Sequence, residues 1–201
     1  MLKPITAACG VLVVSLAISS AFAQGAPTRI RGTIQGFSGS DLTVETREGP
    51  VRTIKVPDGA RIAGVAKAEL SAIKAGDYVG TAAMPTPDGK LIAIEVLVFP
   101  EAMRGAGEGH RDWDLKPQST MTNATVSDAV SRVDGRTLTL TYKEGAKTVE
   151  VAPEAPIVTL IPADRTDLKP GAKVVLNATG APDALTAASI TVSKNGIDPP
   201  M

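Results

Sequence analysis

The chain has 201 residues, with 21 lysines and arginines balanced by 21 aspartates and glutamates, one histidine and one cysteine. Its basic residues are spread along the chain and not gathered into a stripe that would neutralise phosphates, so nucleic acid is not an expected partner. Only 3% of residues are aromatic, a poor supply for a base-stacking or sugar-stacking surface.

Residues 1–23 read as a secretory signal peptide. Lys3 supplies the positive end, Val11 to Ile18 the apolar run, and Ala21-Phe22-Ala23 an A-x-A cleavage signal before Gln24. The run is too short for a bilayer crossing, which needs roughly 18–20 apolar residues. Cys9 precedes the apolar run, which does not suit a lipoprotein. Cleavage near Ala23 removes that cysteine, so a disulfide scaffold, a thiol nucleophile and a thiolate metal site are all excluded for the mature chain. The expected location is the periplasm, with no membrane insertion after cleavage and a length suited to one large or two small domains.

Beyond Gln24 the sequence takes on period two. Leu42 and Val44 share one face of a strand whose other face carries Thr43 and Glu45, and Ile54 and Val56 alternate with Thr53 and Lys55. Ile92, Ile94, Val96 and Val98 alternate with Leu91, Ala93, Glu95, Leu97 and Phe99, the pattern of a strand covered on both sides. Gly49-Pro50, Asp58-Gly59, Gly76-Asp77 and Asp88-Gly89 mark turns between these runs. Ala66 to Ile73 (A-K-A-E-L-S-A-I) predicts a helix of barely two turns.

The second half repeats this order. L-T-V-E-T-R-E-G at 42–49 matches L-T-L-T-Y-K-E-G at 138–145, I-K-A-G-D-Y-V at 73–79 matches L-K-P-G-A-K-V at 168–174, and Val96 and Val98 fall opposite Ile190 and Val192. Three matches in one order at nearly constant spacing predict an internal duplication. The L/I-K-x-G-D/A-x-V turn ahead of a strand resembles a domain-of-unknown-function family of secreted bacterial proteins. That resemblance implies small, OB-like, closed β-barrels in tandem and brings no catalytic residues with it. Some relatives carry the name metal-transporter permease, which does not suit a mature chain without membrane spans.

The expected fold is therefore all-β: a first barrel over 24–100, a Gly-rich irregular connection over 101–120, a second barrel over 121–194 and a tail over 195–201. The strands are placed at Leu42 to Thr46, Leu91 to Val98, Leu138 to Tyr142 and Ser189 to Ser193. The connection holds the one histidine and the one tryptophan, and Glu101, Arg104, Glu108, His110, Arg111, Asp112, Trp113 and Asp114 are the candidate ligand or interdomain contacts. His110 with the four acids has the chemistry of a divalent-cation site. Arg104, Arg111 and Lys116 offset most of those acids, which is also what a solvated linker looks like. G-A-G-E-G lacks both the spacing and the following helix of a phosphate loop. Trp113 reads as an anchor in a groove between the barrels, with ligand stacking as its alternative. No G-x-S-x-G or comparable nucleophile motif occurs. The expectation is a non-enzymatic binding or interaction module without a cofactor, whose partner is an envelope protein or a small ligand. The alternative is a metal ion or small anion held at the connection.

Overall fold

The computed structural model describes residues 27–132 and 135–200, with side chains left aside from 128 to 135. The signal-peptide expectation lies outside the described residues. The fold is all-β. β1 (Thr28–Ser38), β2 (Asp41–Thr46) and β3 (Val51–Lys55) form an antiparallel meander, followed by β4 (Arg61–Lys67), β5 (Tyr78–Pro85) and β6 (Leu91–Val98). A short strand, β7 (Gly109–Asp112), leads to β8 (Thr120–Arg132), β9 (Gly135–Tyr142) and β10 (Gly145–Val151), which form the second meander. β11 (Ile157–Pro162), β12 (Lys173–Thr179) and β13 (Leu185–Val192) complete the chain.

Apart from the β7–β8 pairing, the strand pairings of one unit recur in the other. The bulge in β1 between Ile34 and Gly36 is matched by one in β8 between Val126 and Asp128. Ile54 of β3 pairs in parallel with Leu185 of β13, as Val149 of β10 pairs in parallel with Leu91 of β6. Two rings close through these parallel contacts: β1-β2-β3-β13-β12, and β8-β9-β10-β6-β5.

The rings are not the contiguous tandem expected from the repeat. The last two strands of each unit complete the barrel begun by the other unit, so the strands β1 to β6 of the expected first barrel contribute to both barrels, and so do β8 to β13 of the expected second. The two units cross at β4 and β11, which pair antiparallel with Val65 opposite Leu160. Gly64 faces Ile161 and Ala66 faces Thr159 on either side, so a pseudo-twofold axis passes through the Val65–Leu160 pair.

Each barrel has its own core drawn from both units. Ile34, Leu42, Val44 and Ile54 pack with Leu176 and Ile190 in the first; Val79 and Val96 pack with Val126, Leu138, Leu140 and Val149 in the second. A fully buried aliphatic side chain of this size contributes roughly 1.5–3 kcal/mol, so the cores can hold the barrels without covalent staples. Ile73 and Leu168, the first residues of the repeated turn, are buried in opposite cores.

Two local expectations are corrected. The predicted helix over Ala66 to Ile73 is the end of β4 followed by a single 3-10 turn at Leu70–Ala72, because Ala66 and Lys67 take backbone partners on β11. Tertiary pairing here overrides a helical propensity of a few tenths of a kcal/mol per residue. The connection is not wholly irregular, since β7 pairs with β8 from Gly109 opposite Asn123 to Asp112 opposite Thr120.

The crossing predicts how the chain divides. Fragments 24–107 and 108–201, prepared separately, are expected to lack cooperative unfolding, and mixing them should restore the β-sheet circular dichroism and a single transition. Independent folding of either fragment would show that the units do not need each other's strands.

Candidate functional site

Around the pseudo-twofold axis lies a cavity of about 490 Å³. Its walls are the outward faces of the two barrels. On one, the paired residues Arg31, Val175, Thr191 and Ala63 run across β1, β12, β13 and β4. The matching row on the other is Asn123, Gly80, Leu97 and Val158, across β8, β5, β6 and β11. Gly80 keeps this second wall open, because a Cβ there would stand 2.7 Å from Asn123 Oδ1.

The symmetry of the backbone does not extend to the side chains. A further row on the first wall reads Arg29, Asn177, Ser189 and Arg61, with Asn177 Nδ2 donating to Ser189 Oγ at 3.1 Å. On the second wall the places of Arg29 and Ser189 are taken by Met121 and Glu95, both paired with Ala82. One wall is thus polar and cationic. The other is apolar apart from Asn123 and Glu95.

Glu95 is 9% exposed, and no described residue makes a hydrogen bond to its carboxyl. Burial pushes its pKa up to about 7, against the opposing pull of Arg31 and Arg29. Such a group bears on stability, because the folded protein binds its proton more tightly than the unfolded chain does. Its contribution is greatest below the ordinary value of 4.5, falls as the pH rises to about 7 and is level above that. Across this window the destabilisation amounts to about 3 kcal/mol. Glu95→Gln is expected to remove that slope, making the variant more stable than the parent at pH 8. Urea denaturation from pH 4 to 8 would check it; parallel pH profiles for the two proteins would contradict the buried-carboxyl account.

The connecting segment closes the cavity. Trp113 lines it together with Met103 and Ala106, and Pro199 and Pro200 of the tail cover another part. The indole lies among arginines, and the Trp113 backbone is tied to Ser119. Arg29 lies 3.7 Å from the ring centroid and Arg111 5.3 Å, within cation–π range. Its backbone N–H donates to Ser119 O at 2.8 Å, and Ser119 Oγ lies 2.9 Å from Trp113 O. Next in sequence, Asp114 Oδ1 accepts from Arg29 Nη1 and Arg31 Nη2, both at 2.9 Å. Burial raises the Asp114 pKa, but the hydrogen bonds and charges of Arg31 and Arg29 outweigh it and hold the carboxylate at about 2. Arg31 is 5% exposed, so this carboxylate partners a guanidinium removed from water. Asp114→Asn is expected to loosen the segment and shift the emission of the single tryptophan to the red, because one buried charge loses its counterion. An unchanged spectrum would show that the pair does not hold Trp113.

The other candidates from the connection do not converge on one point. Arg104 pairs with Glu101 through two bonds of 2.6 Å, and Glu108 accepts from the Lys143 N–H at 3.1 Å. His110 Nδ1 lies 2.8 Å from Thr122 Oγ1 on β8, and burial lowers its pKa. Arg111 donates to the Gly107 carbonyl at 2.7 Å, and Asp112 is exposed at the end of β7. Among the described residues no group of three or more His, Cys, Asp or Glu is placed to hold a metal ion. Trp113 lines the cavity, and Asp114 acts on it through Arg29 and Arg31. Sequence reasoning missed Arg29, Arg31, Arg61 and Ser119, and read Glu95 only as part of a strand's second face.

Comparison with protein-family models, curated proteins and solved structures finds no match for this chain. Among the described residues no helix is long and apolar enough to cross a membrane.

Proposed function

We propose that the chain is an exported, non-enzymatic periplasmic binding module whose ligand occupies the cavity on the pseudo-twofold axis. The observation that carries this reading is Glu95, a buried carboxyl without a described protein partner, lining a cavity of about 490 Å³. Volumes of roughly 300–1,000 Å³ with apolar walls and a few fixed polar groups are typical of small-molecule seats. Buried ionisable groups with perturbed pKa values in clefts cluster at functional sites. His110, the imidazole a hydrolytic mechanism would call on, lies outside the cavity lining and is bonded to Thr122 instead.

The OB-like resemblance draws support from strand order. In each ring the three-stranded meander closes onto a parallel partner, and that partner's hairpin mate returns to the first strand. Barrels of this kind bind ligands on an outer face. Here the outer faces of two barrels look at each other, which turns two shallow surfaces into one partly open cleft.

Nile red, a neutral apolar dye, provides the test. Titrated into the mature protein it is expected to show blue-shifted emission and to quench Trp113, and Leu97→Trp, which fills the cavity, should abolish the binding. Dye binding that is absent, or indifferent to Leu97→Trp, would overturn the cavity as the seat.

A further inference from the structure

The two walls of the cavity differ in chemistry, and the difference specifies a ligand. Arg29, Arg31 and Arg61 come from the first wall, against Glu95 as the one acid in the lining. Asp114 stands outside the lining and engages Arg29 and Arg31 through a single oxygen. Arg61 is different: it is exposed, at the start of β4, and among the described residues it makes no ion pair. It therefore offers a free planar fork of donors beside Ser189, with which its backbone is paired. Leu97, Phe99, Met121, Val158 and Leu160 make up the opposite side, an apolar surface that no charged ligand atom would favour.

We infer that the cavity takes a small amphipathic organic anion, its charged head on Arg61 at the rim and its apolar body against the Leu97–Leu160 side. This rests on the binding reading above and names the ligand class for the same seat. A guanidinium binds a carboxylate or a phosphate bidentately, and such bonds are about twice as strong as neutral ones. Glu95 opposes an anion less than an ordinary carboxylate would near neutral pH, since burial keeps a share of its carboxyl protonated. The apolar body would lie beside Trp113, which gives binding a direct optical signal.

The experiment compares decanoate with decan-1-ol on the mature protein, followed by Trp113 fluorescence and by calorimetry. The two probes share an apolar chain and differ in head charge. Decanoate is expected to bind about tenfold or more tightly than the alcohol, and Arg61→Gln, an exposed substitution, should remove most of that preference by weakening decanoate far more than decan-1-ol. Equal affinities for the two probes, or a decanoate affinity indifferent to Arg61→Gln, would overturn the anion class while leaving the binding module in place. Failure of both probes together with Nile red would overturn both.

Discussion

The antiparallel contact between β4 and β11 is the constraint from which the rest of the architecture follows. Val65 faces Leu160 at its centre, and each of these strands also pairs in parallel with a strand of the other unit: β4 with β13, β11 with β6. Because β4 lies between β11 and β13, and β11 between β4 and β6, the two barrels share one continuous sheet. A chain following this path cannot close either barrel until both units are present. The contacts that complete each core join residues far apart in sequence, such as Leu42 with Leu176 or Val96 with Leu140. Loop closure must precede the gain from such contacts, so the fold belongs to the slow, strongly cooperative class.

On this symmetric frame the side chains have diverged where the axis opens into the cavity. Arg29 and Arg31 stand where the other unit has Met121 and Asn123, and Glu95 stands where it has Ser189. In the cores, by contrast, the corresponding positions remain aliphatic: Leu42 and Leu138, Val44 and Leu140, Ile54 and Val149. Packing density explains the second fact, since a closed barrel interior accepts only apolar groups of suitable volume. The first needs another explanation. A buried carboxyl without a hydrogen-bonding partner costs stability that well-packed apolar groups would not. Glu95 lies at the cavity and not in either core, which is where the binding proposal draws on it.

Much of this was legible in the sequence, for reasons that differ by element. Alternation at Leu42 to Thr46 and Leu91 to Val98 marks strands because period two is a property of the strand itself, and the repeat is visible because both units keep the same turns. The exchange between units was not legible. A hairpin such as β5-β6 buries the same face whether it completes its own unit's barrel or the other's, so its sequence carries no record of the choice; the geometry of β4 and β11 makes it. The cavity residues were hidden for a related cause. Arg29, Arg31 and Glu95 occupy outward positions on alternating strands, where charged residues ordinarily face water. Only the second barrel turns that outward face into an interior.

Trp113 shows how the two functions considered for it converge. As an anchor it belongs to a segment tied to the first barrel by Asp114 with Arg29 and Arg31, and to the second by the β7–β8 pairing. It also lines the cavity next to Met103 and Ala106. These roles share one set of contacts. Arg29 stacks at 3.7 Å from the ring centroid while its guanidinium also donates to Asp114, so the arginine positions the indole and is itself positioned by the neighbouring carboxylate. Loss of the Asp114 carboxylate would therefore free Arg29 Nη1 and disturb the stacking at the same time. The segment joining the units is therefore fastened to the first barrel at the same arginine that packs against its tryptophan.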